Sequence, residues 1–341
     1  MEKYAVLSAT CRGSFWERLC HLYMKTGDYV DMENLENRHL VYVRVFLSDI
    51  RNQYATLLES QLWQDYLSQV PCSVIGQAPL NGSKVSLLVC TSDVVDNPLL
   101  SRVRLSEDDV DGKDTYEQAL MLFRKFVGHV FYNDKLCRFS GMRVWLYMAN
   151  ISNNIEIVEK AFDDVCGQYG FHPDERRVAV TCIEGTTHVE GAVVALDYII
   201  FSEPAKPVVP LHIKYRGEHA AIPYNSCSES IGIKYGNTLR VELSAFSFSA
   251  GGDYDLAQLD ARQLTGLLLG DIGVRLKSYD VTMNDVCCFV VYLRDFSDYD
   301  DVDRLLSMAF PDIPHVIVGA CGPNSRQPVF IGCVAYKLLR A

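Results

Sequence analysis

The chain has 341 residues, of which 49% are hydrophobic and 22% charged, and its formal net charge is −11. This length suits two or three domains, and the composition is that of an ordinary globular protein rather than a disordered or fibrous one. The acidic balance argues against a nucleic-acid-binding protein, because the neutralisation of phosphates requires clustered Lys and Arg.

Features that are absent from the sequence limit the compartment and the cofactors that we predict for the protein. No apolar run approaches the roughly 18–20 residues of a membrane helix, and the start MEKYAVLSATCRGSFWERL is unlike a signal peptide. The twelve cysteines are scattered, mostly in apolar runs, and neither they nor the eight histidines have metal-ligand spacing. We therefore predict a cytoplasmic protein with reduced cysteines, no metal, no other cofactor and no membrane partner.

The first elements in chain order are a helix at 14–27 and a strand at 39–50. Apolar residues at helical spacing then predict a second helix at 52–67. Two further strands, 72–78 and 84–90, flank Asn81-Gly82, and this pair of residues is a strong hairpin signal. The first part of the chain is thus read as helix–strand–helix–hairpin.

The same order of elements recurs twice, and each copy contains a similar strand end: VRVFLSDI, VWLYMANI and FVVYLRDF. The second copy comprises a helix at 115–132, a strand at 142–151, a helix at 154–170 and paired strands at 177–185 and 191–201. The third comprises strands at 230–236 and 238–251, a helix at 256–278, a strand at 285–296, a helix at 298–310 and paired strands at 315–321 and 329–339. This self-similarity indicates an internal repeat.

The repeat sets the predicted domain boundaries. The Pro-rich stretch at 202–211 and the acidic stretch at 91–113 are typical of linkers. We predict three units, at residues 1–100, 101–205 and 206–341, the first of them degenerate. Each is expected to be an α+β unit whose mixed sheet carries its helices on one face.

The order of elements resembles the Rid family, also called YjgF or L-PSP, which has a chorismate-mutase-like fold. Within that superfamily the chain is similar to the chorismatases, which contain Rid-like units in tandem. The similarity rests on RVWLYMANI at 143–151, LSAFSFSAG at 243–251 and Cys321-Gly322-Pro323. The resemblance implies three units that can close into an intrachain pseudo-trimer, hence a monomer or weak oligomer, and a small carboxylated metabolite as partner.

The resemblance also implies a site. Rid deaminases hold the substrate carboxylate with an arginine and place a glutamate on the last strand. In the first copy the arginine position falls on Pro71-Cys72, and the last strand of the third copy, VFIGCVAYKLLRA, has no acid. Only the second copy retains both groups, so we assign the carboxylate to Arg177 and the proton transfer to Glu184.

Other residues are assigned to the same pocket. Arg143, Tyr147 and Thr181 are expected to line it, and the Ser249–Gly251 turn is expected to offer backbone N–H groups to an anion. Cys321 is a second catalytic candidate, because it lies where chorismatases have a Cys-Arg-Pro segment. The ordinary interpretation of Arg177 and Glu184 is that they are solvated residues at strand ends.

Two classes of function remain open. One is an enzyme or binding protein for a chorismate-like or enamine/imine acid, acting as a chorismatase-like hydrolase or lyase or as an imine deaminase. The other is a non-catalytic scaffold that kept the fold and lost the acid. The missing last-strand glutamate favours the scaffold, and the arginines of the second copy favour the small-molecule site.

Overall fold

The structure is a computed structural model that describes residues 2–94, 100–131, 139–170, 178–202, 204–209, 230–245 and 259–339. Within these ranges the strands form three sheets, and each sheet packs helices on its outer face. The predicted α+β class with mixed sheets is confirmed.

The first sheet has the strand order β1-β5-β2-β3. Its strands are Lys3–Ser8 (β1), His39–Leu47 (β2), Cys72–Gly76 (β3) and Val85–Ser92 (β5). Its helices are Phe15–Leu35 (α1), Ile50–Glu59 (α2) and Gln61–Asp65 (α3). The short strand Ala78–Pro79 (β4), which follows β3, pairs with the third sheet instead.

The second sheet has the order β6-β9-β7-β8. Its strands are Leu100–Val103 (β6), Phe139–Met148 (β7), Val178–Glu184 (β8) and Val194–Ser202 (β9). Its helices are Glu107–Val110 (α4), Thr115–Phe131 (α5) and Ile151–Tyr169 (α6).

The third sheet has the order β10-β11-β12-β15-β13-β14-β4. Its own strands are Lys206–Val208 (β10), Ser230–Tyr235 (β11), Thr238–Leu243 (β12), Val286–Leu293 (β13), His315–Gly319 (β14) and Val329–Leu338 (β15). Its helices are Ala261–Lys277 (α7) and Tyr299–Ala309 (α8).

The first two helices differ from their predicted ranges for local reasons. Helix α1 begins at a capping box between Ser14 and Glu17 and continues past residue 27, because Tyr29 and Glu33 are also buried. The predicted helix at 52–67 is divided at Ser60, whose hydroxyl accepts a hydrogen bond from the Trp63 amide at 3.2 Å. Ser60 therefore ends α2 and caps α3.

The predicted hairpins are wrong in all three copies. Strand β2 lies between β3 and β5, running parallel to β3 and antiparallel to β5. The same order places β7 between β8 and β9, and β13 between β14 and β15. The strand–helix–strand connection through α2 allows β3 to pair in parallel with β2, so the Asn-Gly turn serves a longer connection instead.

The two predicted linkers also contain strands. The acidic stretch at 91–113 includes β6, which pairs with β9, and the Pro-rich stretch at 202–211 includes β10, which pairs with β11. Both strands lie at the edges of their sheets. Their brevity, and the proline tolerated in an edge strand, explain why composition alone concealed them.

The inner faces of the three sheets meet in one hydrophobic cluster. It includes Phe46, Leu88, Trp145, Ile183, Ile199, Val290, Val318 and Phe330. Three further clusters lie between the outer face of each sheet and its helices. Phe46, Tyr147 and Tyr292 take equivalent positions in β2, β7 and β13, all within the shared cluster.

Three strand ends pair with one another in cyclic order, and we call the residues involved the strand-end ring. The pairs are Ala78 with Gly319, Thr186 with Gly76, and Cys321 with Glu184. Gly76, Glu184 and Gly319 end the equivalent strands β3, β8 and β14, and each pairs with the residue two places past the end of another of these strands. Every sheet thereby contacts both others through backbone hydrogen bonds.

Among the helices in the described ranges, none is both long and apolar enough to cross a bilayer.

Candidate functional site

Arg143 on β7 is 2% exposed, and both terminal nitrogens of its guanidinium donate to protein groups. Nη1 donates to the carbonyl oxygens of Val144 and Ala179, and Nη2 donates to the Thr181 hydroxyl. Nε lies 3.4 Å from Oε2 of Glu242, within ion-pair distance but without hydrogen-bond geometry. The predicted neighbours Arg143 and Thr181 are thus in contact.

The Thr181–Arg143 pair joins the second sheet to the third. The Thr181 hydroxyl accepts a hydrogen bond from the backbone N–H of Ala245 at 3.0 Å, just beyond β12, and Glu242 belongs to β12 itself. Burial lowers the pKa of Arg143 to about 10, although the Glu242 carboxylate acts in the opposite direction. The side chain therefore remains a cation at neutral pH.

A second buried arginine, Arg44 on β2, lies on the same aromatic ring as Arg143. Its guanidinium is 4.7 Å from the centre of the Trp145 ring, and that of Arg143 is 4.4 Å from it. Nη2 of Arg44 donates to the Tyr147 hydroxyl at 2.7 Å. The predicted site residue Tyr147 is therefore connected to Arg143 through Arg44 and Trp145, although the hydrogen bond of its hydroxyl is to a residue of the first sheet.

The third sheet meets the first through Arg240, which is also 2% exposed. Its guanidinium donates to Oε1 of Glu242 at 2.6 and 3.0 Å and to Glu2. Glu2 in turn accepts a hydrogen bond from the Tyr4 hydroxyl at 2.8 Å. Glu242 is thus shared by Arg240 and Arg143.

The first and second sheets meet around Asp197, which is fully buried on β9. Its Oδ1 lies 2.8 Å from Nη2 of Arg104, and its Oδ2 accepts a hydrogen bond from the Ser73 hydroxyl. The predicted site residues did not include Asp197, Arg44, Arg240 or Glu242. The available signal was a single charge inside an otherwise apolar strand, as in VALDYIIF.

The two catalytic candidates, Glu184 and Cys321, contact each other in the strand-end ring. The Glu184 amide donates to the Cys321 carbonyl at 2.8 Å, and the Cys321 amide donates to Oε2 of Glu184 at 3.2 Å. Burial, followed by the charge and hydrogen bond of Glu184, raises the pKa of the Cys321 thiol to about 11. The thiol is therefore protonated at neutral pH and is a poor nucleophile.

The remaining candidates, Arg177, Ser249 and Gly251, lie outside the described residues. The structure places Arg143 and Thr181 around a central cavity of about 20 Å³, lined also by Arg44, Glu242 and Tyr292, whereas Tyr147 is not part of that lining. A space of that size holds about one water molecule. No organic acid fits into the central cavity as it stands.

A larger cleft, of about 670 Å³, opens between the first and second sheets. Its lining is Trp63, Leu67, Ser68, Val70, Pro71, Cys72, Leu100, Ser101, Arg102, Gly128, His129 and Tyr198. Arg102 on β6 is exposed, and its Nη1 donates to the Cys72 carbonyl at 2.8 Å. The volume, and a lining that combines apolar and polar groups, are compatible with a small-molecule site.

Of the predicted site residues that the structure describes, none lines this cleft. The sequence did not predict the wall of the cleft that β6 forms, because residues 91–113 were interpreted as a linker. In the structure, β6 places Ser101 and Arg102 opposite the start of β3. Across the described residues, moreover, no group of three or more His, Cys, Asp or Glu side chains is arranged to hold a metal ion.

Comparison with known proteins finds similar structures but no match by sequence. No protein-family model matches the chain, and no curated protein matches it. Among solved structures, a chorismatase crystal structure superposes with a TM-score of 0.59 at 12% identity, covering 98% of both chains.

Two shorter structures match part of the chain. RidA from the Antarctic bacterium Psychrobacter is 19% identical over 37% of this chain and 98% of its own, with a TM-score of 0.29. A member of the YjgF/YER057c/UK114 family from Mycobacterium tuberculosis is 23% identical over 31% of this chain and 84% of its own, with a TM-score of 0.25. The full-length superposition is the informative one, and it confirms the predicted resemblance: the chain has a chorismatase-like fold, with 98% of its residues covered by the superposition.

Proposed function

We propose that this protein binds a small carboxylated molecule in the cleft between the first and second sheets, with Arg102 holding the carboxylate. The observation that carries the proposal is the position of the Arg102 guanidinium. It is exposed, it lines a cleft of about 670 Å³, and Nη1 is oriented by the Cys72 carbonyl. Among the described residues only Nη1 of this guanidinium makes a hydrogen bond, and an oriented guanidinium with further N–H donors is suited to a carboxylate.

The rest of the lining selects the body of the ligand. Trp63 and Val70 offer aromatic and apolar surface, and His129 and Ser101 add hydrogen-bonding groups. This combination favours a planar, unsaturated or aromatic acid over a small aliphatic one, because such a molecule buries more apolar area against the rings.

The resemblance to Rid proteins supports the same place. The carboxylate-binding position of the first copy falls on Pro71-Cys72, which cannot supply a guanidinium. Arg102 approaches that position from the facing strand of the second sheet, with its Nη1 on the Cys72 carbonyl. We infer that the arginine function has moved to the opposite wall of the cleft.

The second-copy site remains a separate proposal, in which Arg177 and Glu184 act with Arg143, Tyr147, Thr181, Ser249 and Gly251. In the described part of that site the Arg143 side chain is buried and already contacts Thr181, two carbonyl oxygens and Glu242. This environment is why we favour Arg102. It also favours binding without turnover, as does the protonated Cys321 thiol.

The same proposal includes the organisation of the chain. We propose that residues 1–100, 101–205 and 206–341 are three units that close into an intrachain pseudo-trimer and act as a monomer or weak oligomer in the cytoplasm. The cyclic pairs of the strand-end ring and the shared inner cluster support this arrangement.

The decisive experiment is calorimetric titration and thermal shift with chorismate, other aromatic acids, keto acids and imine-forming amino acids. Ligand concentrations must lie well above the dissociation constant for the melting temperature to respond. Arg102→Ala is expected to weaken binding at least about tenfold, because a charge-assisted hydrogen bond contributes about 1.5–3 kcal/mol. Arg102→Lys should recover part of the loss.

Two further variants make the outcome specific. Arg326→Ala removes an exposed arginine remote from the cleft and should leave the affinity unchanged. Arg177→Ala tests the second-copy site. If Arg177→Ala weakens binding and Arg102→Ala does not, the carboxylate site belongs to the second copy and not to the cleft. Turnover of a bound acid would establish an enzyme, and no response to any acid would leave the scaffold function.

A further inference from the structure

Helix α1 has apolar side chains on its outer face as well as on its inner one. The inner face buries Leu19, Leu22 and Tyr29 against the first sheet. On the outer face the large apolar side chains are between 48% and 89% exposed, and they are Trp16, Met24, Met32 and Leu35. Grouped apolar side chains that stay on the surface of a folded protein commonly mark a contact with a partner.

These outer residues follow the spacing of a packing ridge. Positions 16, 20, 24, 28 and 32 are four residues apart, all five are exposed, and they carry Trp, Cys, Met, Asp and Met. Rows of this spacing are the ridges by which one helix packs into the grooves of another. We call this row, together with Leu35 beside its end, the outer ridge. At about 1.5 Å per residue it is about 28 Å long, the length of a helix of about 18 residues.

The equivalent helices of the other two copies have polar outer faces. Helices α5 and α7 lead the second and third copies as α1 leads the first. The residues that α5 exposes are Glu117, Arg124 and His129. Those that α7 exposes are Arg262, Gln263, Gly266, Gly270 and Lys277. Neither helix, each wholly within the described ranges, exposes a large hydrophobic side chain. The fold therefore does not require the outer ridge.

The charges around the outer ridge are negative. The charged side chains that α1 exposes are all acidic: Glu17, Asp28 and Asp31. Asp65 at the end of α3 lies on the same side, because burial and then the charges of Asp31, Asp65 and Asp28 raise the pKa of Tyr66. The Tyr66 ring packs on Tyr23 of α1, with 5.6 Å between the ring centres.

These carboxylates are not paired with cations of the chain. Among the described residues no Lys or Arg lies within ion-pair distance of Asp28, Asp31 or Asp65. Arg18 and Lys25 of α1 donate instead to backbone carbonyl oxygens at the end of β1. Positive charge at the outer ridge therefore has to come from a partner.

The sign of these charges selects the occupant. A second copy of the chain would bring the same acids against one another, and an anionic membrane surface would repel them. An amphipathic helix with one apolar side and Lys or Arg at its edges matches both the apolar ridge and the acids beside it.

We propose that the outer ridge of α1 is the docking surface for a basic amphipathic helix of another protein. The apolar side of that helix packs along the ridge, and its Lys or Arg side chains pair with Asp28, Asp31 and Asp65. The outer ridge shares no residue with the lining of the carboxylate cleft, so the inference does not depend on the proposed ligand.

The first test measures the binding of a fluorescein-labelled helical peptide of Leu and Lys, about 18 residues long, to the full chain by fluorescence anisotropy. A peptide with Glu in place of each Lys is the comparison. The Lys peptide should bind saturably, with an affinity that falls as salt is added, because salt screens surface charges. The Glu peptide should not bind. Equal binding of both peptides overturns the proposal.

Variants of α1 locate the bound peptide. Asp28→Asn combined with Asp31→Asn should weaken binding about threefold to tenfold, as expected for the loss of two exposed ion pairs. Met24→Gln should weaken it by a similar factor, because a methionine that becomes buried against the peptide stabilises the complex.

Helix α8 provides the matched controls. Asp300→Asn combined with Asp301→Asn changes the net charge equally, and Met308→Gln makes the same apolar-to-polar change, all at exposed positions. These variants should bind the Lys peptide as wild type does. Equal losses in the α1 and α8 variants would show general attraction to an acidic protein and would overturn the proposal.

Cys20 reports directly on whether the outer ridge is covered. It is exposed in the row between Trp16 and Met24. Saturating Lys peptide should slow its alkylation by iodoacetamide, while the rate at Cys321 in the strand-end ring should not change. An unchanged Cys20 rate contradicts the proposal. Self-association of the chain that Met24→Gln abolishes would assign the ridge to a second copy and would contradict it equally.

Discussion

Cys321 shows how a single neighbour fixes the chemistry of a side chain. It is half-buried in the strand-end ring, and the Glu184 carboxylate adds to the effect of burial on the thiol. Both effects disfavour the thiolate, so the pKa rises to about 11. The fraction of reactive thiolate therefore increases about tenfold for each pH unit up to that value.

Replacement of Glu184 by Gln should make Cys321 more reactive. Loss of the negative charge lowers the pKa of the thiol, while burial keeps it above its ordinary value. At pH 8.5 we expect alkylation by iodoacetamide to accelerate roughly threefold to tenfold, the change that a pKa lower by half a unit to one unit gives. Mass spectrometry of the Cys321 peptide over time measures this rate.

Exposed Cys20 on α1 provides an internal reference for that experiment. Its labelling rate should be the same in wild type and Glu184→Gln. An unchanged Cys321 rate, or one that falls, would show that the Glu184 carboxylate does not control the thiol.

At the residue scale, the sequence could indicate contacts within a strand pair but not between sheets. Arg143 and Thr181 were assigned to one site because their strands belong to one copy of the repeat, and they are in contact. Arg44 and Asp197 belong to different copies from those of the tyrosine and serine they bind. No local periodicity encodes such pairings, since they depend on how the three sheets close.

Among the elements, the end of β3 makes a close backbone contact between two sheets. Gly76 donates to the Thr186 carbonyl at 2.8 Å, and a Cβ at Gly76 would overlap the Thr186 hydroxyl and lie 2.8 Å from Ile50 Cγ2. The position requires glycine because of this close approach, as its backbone is not in the left-handed region.

Gly76→Ala should therefore destabilise the protein by about 1–3 kcal/mol, the usual cost of forcing a methyl group into a packed contact. Gly167→Ala is the matched control with the opposite sign. Gly167 is exposed on α6 with open space around it, so alanine should stabilise the helix by about 0.5–1 kcal/mol. Urea denaturation of both variants measures the two changes. Equal effects would contradict the close-contact explanation.

At the same scale, the long elements were predictable and the pairing of strands was not. Helices α5, α6 and α8 lie within three residues of their predicted bounds, since each buries one apolar face against a sheet. The hairpin prediction failed because Asn81-Gly82 is a local signal, whereas the partner of β3 is decided by the connection through α2.

At the scale of the whole molecule, the shared inner hydrophobic cluster holds the three sheets together. The inner faces of all three sheets contribute to one cluster, so none of them keeps its apolar face covered without the others. We therefore expect a single cooperative unfolding transition, with equal calorimetric and van't Hoff enthalpies, and a monomer by sedimentation equilibrium.

A core variant tests that cooperativity directly. Ile183→Ala, at a fully buried position of the shared cluster, should lower the one melting temperature without splitting the transition. Met308→Ala, at a side chain 76% exposed on α8, should leave it in place. Two transitions in wild type or in Ile183→Ala would show that the sheets unfold independently.

The cyclic strand-end ring has a consequence for how such a protein can change over generations. In an assembly of identical subunits a mutation alters every equivalent junction at once. In this chain each junction is encoded separately, and the three now differ: Asp197 with Ser73, Arg143 with Glu242, and Arg240 with Glu2. Selection can therefore open a ligand cleft at one junction while sealing the other two with buried charges.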